Sequence, residues 1–291
     1  MGTANLTGQQ LGPYSIEAEL GSGGMGTVYR ATGPEGAVAL KVLHTHLMQT
    51  PGFRDRFLRE AELGRAITHP NVVRTLAADT IEVNGQPTHY IVMEFVEGQT
   101  LQQLLEELEH LPEELCRHVG IQVTGALSAI HAQAAVHRDL KPANVIITPE
   151  HRIKVMDFGV ARLTDTAQQL SVAGQFLGSI LYAAPEQWDP QAKVDGRADL
   201  FALGILLYEI STGRHPFAGL EGTAPLAALA SCRIEPASAT NPELSPFLVE
   251  LIGSLLKPDP ADRFAAAALV HDVLEAGERS SWWQSRSREL E

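Results

Sequence analysis

Six residues near the start of the chain follow the pattern G-x-G-x-x-G, as Gly21-Ser22-Gly23-Gly24-Met25-Gly26. Glycines carry no Cβ, so backbone N–H groups can approach phosphate oxygens, and two unrelated kinds of phosphate site use the pattern. A dinucleotide fold needs a helix at the third glycine and an acidic residue about 20 positions later. Here Gly26 leads into the strand-like Thr27-Val28-Tyr29, and His44 and His46 occupy the later region. The sequence therefore predicts a glycine-rich hairpin that binds phosphates, with a plain glycine turn as the alternative.

A lysine lies fifteen residues after Gly26, at the end of the strand-like run Val38-Ala39-Leu40-Lys41. A lysine that points inward from a buried strand is costly unless it is paired. We expect Glu60 to be the partner, because it lies on the single helix predicted in this part of the chain, roughly Gly52 to Ile67. Glu62 is the alternative if that helix is rotated, and a solvated lysine at a sheet edge is the other.

A dense polar turn, His137-Arg138-Asp139-Leu140-Lys141-Pro142-Ala143-Asn144, lies between apolar flanks. Asp157-Phe158-Gly159 begins thirteen residues after Asn144, and Ala184-Pro185-Glu186 comes later in the chain. Together with the glycine pattern and V-A-L-K, these motifs occur in the order typical of protein kinases. The chain resembles a Hanks-type protein kinase of the kind found in bacteria, from about Leu11 to Leu274. One such motif is a weak signal, whereas five in order are specific.

The resemblance implies transfer of the γ-phosphoryl group of ATP, a reaction that depends on positioning and charge neutralisation. Asn144 and Asp157 would supply oxygen ligands for Mg²⁺, with Mn²⁺ as an alternative ion. Asp139 would accept the proton of the attacking hydroxyl, and Lys141 would reach the transferring phosphate. Lys41, fixed by its acidic partner, would hold the α- and β-phosphates.

The resemblance also implies an ATP pocket between two lobes, with Val28 over the adenine base and Met93 at the back of the pocket. Backbone groups of Glu94 and Val96 would bind the base, and a core methionine is the alternative interpretation of Met93. The implied nucleotide-binding residues are Gly21, Gly23, Gly26, Val28, Ala39, Lys41, Met93, Glu94, Val96, Asn144 and Asp157. The implied catalytic residues are Asp139, Lys141, Lys41 and Glu60.

The form D-L-K-P-x-N, with Lys141, is that of enzymes which phosphorylate serine or threonine rather than tyrosine. Arg138 precedes Asp139, which in the family marks control by a phosphate on the activation loop that pairs with the arginine. We hypothesise that Ser171 is the main autophosphorylation site, and control by another route is the alternative. Ser179 keeps a hydroxyl where family members commonly have threonine. The candidate regulatory residues are Arg138, Thr164, Thr166, Ser171 and Ser179.

These residues require a fold in two parts. Short β-branched or aromatic runs, separated by Gly, Pro and Asn, dominate up to about Val96, and helical spacing takes over after Gly98. The strand-like runs are 27–29, 37–43, 72–76 and 89–95. We predict an α+β, bilobal fold of the protein-kinase type, with a small β-rich N-lobe over residues 11–96 and one main helix in it. A larger, mostly helical C-lobe follows over residues 97–277, and a tail over residues 278–291.

The helices of the predicted C-lobe show three clear signals. Thr100 opens a helix as a capping box with Gln103, and a second helix begins at about Pro112. The stretch from Asp199 to Ile210 is apolar nearly all round, which predicts a helix buried in the middle of a domain. By resemblance, Asp199 would accept backbone N–H bonds from the polar turn.

The charged tail from Glu278 carries the adjacent residues Trp282 and Trp283 and is predicted to be a linker, with packing of Trp283 on the body as the alternative. By resemblance, Glu186 would pair with Arg263. That pair and the long loop before it would build a platform for a polypeptide, which disfavours a phosphotransferase that acts on small molecules.

The chain has 291 residues, and its 35 acidic and 22 basic side chains give a formal charge of −13. This balance disfavours a nucleic-acid partner. No apolar run reaches the ~18 residues of a membrane span, and the N-terminus lacks the order of a signal peptide. We expect a cytoplasmic location; the sequence leaves open whether the chain is the cytoplasmic part of a longer membrane-anchored protein and whether it forms a homodimer. Cys116 and Cys232 are expected to be core residues in a reducing compartment.

Two functions are compatible with these features. The first is an ATP- and Mg²⁺-dependent kinase that phosphorylates serine or threonine in proteins and in its own activation loop. The second is a pseudokinase scaffold that binds ATP without transferring phosphate. A scaffold would be expected to have lost Lys41, Asp139, Asn144 or Asp157, and all four are present. The sequence therefore favours the enzyme.

Overall fold

The computed structural model describes residues 5–45, 47, 53–83, 85–157, 181–189, 191–219, 228 and 233–290. Its N-terminal lobe is built on an antiparallel sheet of six strands in the order β1-β2-β3-β4-β6-β5. The strands are β1 (Gln10–Leu11), β2 (Tyr14–Ser22), β3 (Gly26–Gly33), β4 (Gly36–Leu43), β5 (Thr75–Val83) and β6 (Gln86–Glu94). Helix α1 (Phe53–Ala66) packs on one face of this sheet, close to the predicted position.

The register of the sheet decides which side chains face helix α1. Val28 on β3 is paired with Lys41 on β4, and Lys41 is paired with Ile91 on β6. Ala39 is paired with Met93 in the same way. Opposed residues of antiparallel strands share a face, as do alternate residues of one strand, so all five side chains lie on the face that carries α1. A slip of one residue would turn Lys41 to the opposite face.

The opposite face of the sheet is closed by the start of the chain. Tyr29 and Leu40 pack there with Leu11 and Ile16, and all four are almost completely buried. Strand β2 is the first strand of the predicted glycine-rich hairpin. Its apolar residues Tyr14, Ile16, Ala18 and Leu20 alternate with polar ones, but Ile16 alone among its nine residues is buried.

The predicted strand 72–76 is divided between the two lobes. Strand β5 begins only at Thr75, whereas Val72 forms a parallel bridge with Val155 of the C-terminal lobe. The N–H of Val73 donates to the carbonyl of Val155 at 2.8 Å, and the N–H of Val155 donates to the carbonyl of Asn71 at 2.8 Å. This segment therefore ties the lobes together through backbone hydrogen bonds.

The C-terminal lobe is mainly helical. Its helices are α2 (Leu101–Glu107), α3 (Glu113–His131), α4 (Arg197–Thr212), α5 (Ala237–Thr240), α6 (Pro246–Leu255), α7 (Ala267–Ala276) and α8 (Ser281–Leu290). Every residue of α4 from Ala198 to Thr212 is buried except Glu209, which confirms the predicted central helix. The predicted capping box of α2 is present, with the N–H of Gln103 donating to Thr100 Oγ1 at 3.2 Å and the N–H of Thr100 donating to Gln103 Oε1 at 2.8 Å.

A small antiparallel sheet lies at the top of this lobe. Its strands are β7 (Gln99–Thr100), β8 (Val145–Ile147) and β9 (Ile153–Val155), in that order. A 3-10 turn, Pro142–Asn144, leads into β8, so the polar turn enters the sheet directly.

The C-terminal residues form helix α8 and not the predicted linker. Trp282 and Trp283 both pack against the core of the lobe, which agrees with the alternative expectation for Trp283. Cys116 is a free, buried core residue, as expected, whereas Cys232 lies outside the described residues. Among the described residues, none of the helices is both long enough and apolar enough to span a membrane.

Candidate active site

Lys41 lies in the cleft between the lobes and contacts two carboxylates. Its Nζ is 2.7 Å from Asp157 Oδ1 and 4.0 Å from Glu60 Oε1. Burial opposes the charge of Lys41, but the two carboxylates outweigh it and raise the pKa to about 12. The predicted pairing with Glu60 is present, whereas Glu62 is exposed to solvent. The shorter contact, with Asp157, joins residues 116 positions apart, so no local sequence pattern predicts it.

Asp157 is held ionised and in an unusual backbone conformation. Burial tends to raise its pKa, but the charge and hydrogen bond of Lys41 bring the pKa below the ordinary value. Its φ of +59° lies in the left-handed region, which an aspartate adopts more readily than most residues. His137 Nε2 lies 3.1 Å from the carbonyl oxygen of the preceding residue, Met156, and so links this segment to the polar turn.

The polar turn arranges its functional side chains around Asp139, which is 8 % exposed. Lys141 Nζ lies 3.1 Å from Asp139 Oδ2, and Asn144 Nδ2 donates to the same oxygen at 2.8 Å. Asn144 Nδ2 also donates to the backbone carbonyl of Asp139 at 2.8 Å. The carboxylate therefore has a fixed orientation, and the side-chain oxygen of Asn144 is turned away from it.

Asp199, at the start of α4, holds the polar turn through hydrogen bonds to its backbone. Its side chain is fully buried and accepts backbone N–H bonds from His137 and Arg138, each at 2.8 Å. His131 Nε2 is a third partner, at 2.8 Å. Arg138 has a φ of +65°, a strained conformation for a non-glycine residue, and the two bonds to Asp199 help to hold it. The hydrogen bonds from the polar turn to Asp199 that were expected by resemblance are therefore confirmed.

The small sheet brings Asn144 and Asp157 together. Val145 of β8 is paired with Val155 of β9, and the N–H of Met156 donates to the carbonyl of Asn144 at 3.0 Å. Asp157 is the next residue after Met156. One carboxylate and one amide oxygen form a set of hard donors that fits Mg²⁺, a cation that keeps waters and substrate phosphates in its shell.

The inner end of the cleft is a cavity with both apolar and charged walls. Its lining comprises Lys41, Glu60, Val73, Thr75, Ile91, Met93 and Asp157. Met93 is thus a wall residue of the same cavity that holds the charged cluster. The backbone N–H of Glu94 donates to the carbonyl of Arg74 at 3.0 Å, and its side chain accepts a bond from Lys154 at 2.6 Å. Sequence reasoning identified Met93 and Glu94 but not Val73, Thr75 or Lys154.

The glycine pattern forms the predicted hairpin between β2 and β3. The N–H of Gly23 donates to the carbonyl of Gly26 at 2.9 Å, and His44 Nε2 lies 2.9 Å from the carbonyl oxygen of Gly23. A Cβ on Gly26 would lie 2.2 Å from the carbonyl oxygen of Val42, whereas Gly21 and Gly23 have open space around that position. Gly26 is therefore required by packing, and the other two leave the backbone accessible.

The segment that follows the activation loop is fixed to the C-terminal lobe. Arg263 donates to both carboxylate oxygens of Glu186, at 2.6 and 2.9 Å, as expected by resemblance. The hydroxyl of Tyr182 donates to Glu209, and burial raises the pKa of both groups.

The candidate regulatory hydroxyls lie outside the described residues; they are Thr164, Thr166, Ser171 and Ser179. Arg138, the fifth candidate regulatory residue, is described. Its Nε and Nη1 are buried, and neither has a hydrogen-bond partner in the part of the chain that the structure describes.

The two lobes and the charged cluster between them are those of the protein kinase fold. Residues 14–274 match the family model of the protein kinase domain, and the chain belongs to this family. The kinase domain of PknI from Mycobacterium tuberculosis superposes with a TM-score of 0.73 at 30 % identity, covering 94 % of this chain and 98 % of that one.

Two bacterial relatives give the same family. PksC of Streptomyces coelicolor, a serine/threonine-protein kinase, is 36 % identical over 271 residues, which cover 90 % of this chain and 48 % of PksC. PknB of Mycolicibacterium smegmatis, also a serine/threonine-protein kinase, is 35 % identical over 261 residues, which cover 88 % of this chain and 41 % of PknB. The chain therefore spans less than half the length of these relatives.

Proposed function

We propose that this chain is the catalytic domain of a serine/threonine protein kinase that transfers the γ-phosphoryl group of ATP to hydroxyls of protein substrates. One observation carries the proposal, namely the charged cluster across the cleft. Lys41 contacts Asp157 at 2.7 Å, and Asp139 contacts Lys141 at 3.1 Å and Asn144 at 2.8 Å. The named relatives support serine and threonine as acceptors.

Asp139 is the proposed base of the reaction. The acceptor oxygen forms a bond to the γ-phosphorus while the bond from that phosphorus to the bridging oxygen breaks, and ADP leaves. The proton of the acceptor hydroxyl passes to the carboxylate of Asp139. Lys141 and Asn144 hold that carboxylate in one orientation, and the charge of Lys141 also neutralises negative charge on the transferring group.

Lys41 and the two oxygen donors bind the phosphates in this proposal. Glu60 and Asp157 keep Lys41 charged and in place, so that its ammonium can hold the α- and β-phosphates. Asn144 and Asp157 would hold a divalent cation, which supplies charge neutralisation at the phosphates when it is bound. We propose Mg²⁺ as this ion and Mn²⁺ as the alternative, to be compared in the same transfer assay.

The buried, free thiol of Cys116 is compatible with the cytoplasm, where thiols stay reduced and ATP is available. We therefore propose that the domain functions in the cytoplasm.

Transfer of ³²P from γ-labelled ATP to a basic protein tests the proposal. The wild type is expected to label serine and threonine, and Asp139→Asn to lower the rate by roughly 10²–10⁴-fold, the usual contribution of a positioned base. The control is Asp79→Asn, because Asp79 is exposed on β5 and is not among the residues that line the cleft cavity. If the wild type binds ATP but labels no more than Asp139→Asn does, the chain is a scaffold.

Lys41→Met tests the phosphate-binding role. We expect the rate of transfer to fall by at least 10²-fold, because the variant loses the cation that contacts Asp157 and Glu60. Circular dichroism at the assay temperature checks that the variant is folded. A folded Lys41→Met with the wild-type rate would contradict the assignment of Lys41.

We further propose that the kinase phosphorylates its own activation loop, mainly at Ser171. The guanidinium of Arg138 supports a phosphate partner. It is partly buried, which lowers its pKa, and its Nε and Nη1 have no hydrogen-bond partner within the described residues. A phosphate would supply both negative charge and hydrogen-bond acceptors. Mass spectrometry after incubation with ATP is expected to find phosphate on Ser171. After the same incubation, Ser171→Ala is expected to be less active than the wild type. Phosphate found only on Thr164, Thr166 or elsewhere would contradict the choice of Ser171.

A further inference from the structure

Helix α8 places two adjacent tryptophans on the surface of the C-terminal lobe, and they have different neighbours. Trp282 contacts Phe264, with ring centroids 5.5 Å apart, and also Phe247, at 6.0 Å. Trp283 contacts Phe247 at 5.7 Å, and its other ring contact among the described residues is Trp282 at 6.4 Å. Of the two tryptophans, Trp282 alone has a ring contact with Phe264 among the described residues.

Phe264 directly follows Arg263 in the chain, and Arg263 is the residue that clamps Glu186. The Arg263 side chain is completely buried, and Glu186 is 8 % exposed. Glu186 is the second residue of the 3-10 turn Pro185–Trp188, which belongs to the segment after the activation loop. Trp282 thus lies two contacts away from that segment, through Phe264 and Arg263.

Ion pairs hold α8 and the turn before it against the lobe. Arg117 on α3 contacts Glu278 at 2.6 Å and also lies over the ring of Phe247, 4.5 Å from the centroid. Arg286 on α8 contacts Glu250 on α6 at 3.3 Å. The position of Trp282 is therefore fixed from both ends of the helix.

We infer that Trp282 is a positioning residue for the protein substrate, acting through Phe264 and Arg263 on the segment around Glu186. This inference rests on the proposed function, in which that segment supports the polypeptide acceptor. The ring of Trp282 limits the freedom of Phe264, and so limits the freedom of the backbone that carries Arg263. Packed interiors pass on such constraints because their side chains interdigitate with little free volume.

The adjacent tryptophans provide a matched pair of variants. Trp282→Ala and Trp283→Ala each remove one large aromatic ring from the same helix and from a contact with Phe247. Only the first also removes the contact with Phe264. A merely stabilising role of α8 predicts the same consequence for both variants.

Steady-state kinetics with a serine peptide, at a temperature where all variants are folded, test the inference. Trp282→Ala is expected to lower kcat/KM for the peptide by roughly tenfold with KM for ATP unchanged, the size typical of coupling through packed neighbours. Trp283→Ala is expected to stay within about twofold of the wild type. Trp282→Phe, which keeps an aromatic ring, is expected to recover most of the loss.

Hydrogen exchange separates this inference from the proposed function. The backbone N–H of Gln187 donates to the carbonyl of Ala184 at 2.9 Å, and we expect Trp282→Ala to speed its exchange more than Trp283→Ala does. Equal exchange and equal peptide kinetics in the two variants would overturn the inference while the wild type still transfers phosphate. An inactive wild type with selective exchange in Trp282→Ala would contradict the proposed function, and the structural coupling would remain.

Discussion

Arg263 carries a charge in a position that excludes water. Its side chain is fully buried, and the penalty of desolvation is offset by two bonds to Glu186, at 2.6 and 2.9 Å. Further bonds run to the backbone carbonyls of Lys257 at 2.7 Å, Pro258 at 2.9 Å and Arg197 at 2.9 Å. A planar guanidinium can satisfy this number of acceptors, whereas an ammonium cannot reach them all.

Arg263→Lys is therefore expected to lower the free energy of unfolding by about 3–5 kcal/mol, because Glu186 and several carbonyls lose partners in a buried place. Urea denaturation measures this loss. Arg30→Lys is the control, since the Arg30–Glu17 pair is about half exposed (48 % and 41 %), and we expect less than ~1 kcal/mol there. Equal losses in the two variants would show that the Glu186 clamp adds nothing beyond a surface ion pair.

Two contacts of Lys41 in the cleft show where prediction from the sequence succeeds and where it fails at the residue scale. Burial of a lysine on a β-strand requires a carboxylate, so Glu60 could be named from the helix that faces the strand. The nearer partner, Asp157, comes from the other lobe, and its approach depends on how β9 docks against residues 71–73. His44 likewise contacts Gly23 only because strands β3 and β4 bring them together.

At the scale of elements, the glycine hairpin separates two reasons for having glycine. Gly26 has no room for a Cβ, which would lie 2.2 Å from a backbone oxygen of the adjacent strand. Gly26→Ala is expected to lower the free energy of unfolding by about 1–3 kcal/mol, the usual cost of overpacking. Gly23→Ala has space and is expected to change stability by less than ~0.5 kcal/mol.

For nucleotide binding, the order of the two variants is reversed: Gly23→Ala is expected to have the larger effect and Gly26→Ala the smaller one. A methyl group at position 23 lies where the bare backbone would approach phosphates, so we expect Gly23→Ala to raise KM for ATP. Thermal melting and ATP kinetics on both variants measure the two effects. A stable Gly26→Ala would show that the strand pair can open at no cost.

The connection between the lobes is a second element with a testable role. Lys154 on β9 donates to Glu94 at 2.6 Å, and Glu94 also accepts the backbone N–H of Arg74 at 3.1 Å. Lys154 Nζ lies 3.4 Å from the carbonyl oxygen of Val72. This pair therefore fixes the end of β6 relative to the C-terminal lobe, and the backbone there is expected by resemblance to bind the adenine base.

Lys154→Met is expected to weaken ADP binding by roughly 3- to 10-fold, because a charged hydrogen bond that orients the end of β6 is lost. Isothermal titration calorimetry with ADP measures the Kd without turnover. Glu94→Gln is the control, since its amide oxygen can still accept from Lys154 and from Arg74, and we expect a smaller change. A Kd that is unchanged or tighter in Lys154→Met would contradict this role of the pair.

Prediction from the sequence is accurate where composition alone determines burial and poor where burial depends on neighbouring elements. Helix α4 is apolar on every side, and its burial follows from that composition alone. Strand β2 alternates apolar and polar residues from Tyr14 to Leu20, yet it buries only one residue in nine, because no element in the described part of the chain covers the rest of its apolar face. Helix α8 has a charged composition, and its Trp pair packs on the lobe because a complementary surface around Phe247 and Phe264 exists, which only the assembled C-terminal lobe provides.

At the scale of the whole molecule, the formal charge of −13 gives the protein a net negative electrostatic field. Such a field raises the rate at which basic molecules associate and opposes acidic ones. Salt screens it, because the Debye length falls from about 30 Å at 0.01 M ionic strength to about 10 Å at 0.1 M. A protein substrate rich in lysine and arginine is therefore favoured in the proposed reaction at low ionic strength.

Two serine peptides of equal length, one lysine-rich and one neutral, test this effect of charge. Between about 0.02 and 0.3 M KCl, we expect kcat/KM for the basic peptide to fall by roughly tenfold, as expected for electrostatically assisted association. The neutral peptide is expected to change by less than about twofold, and kcat at saturation to change little for either, since screening acts on the encounter. Parallel slopes for the two peptides would mean that salt acts on the enzyme itself, and that its net charge does not select basic substrates.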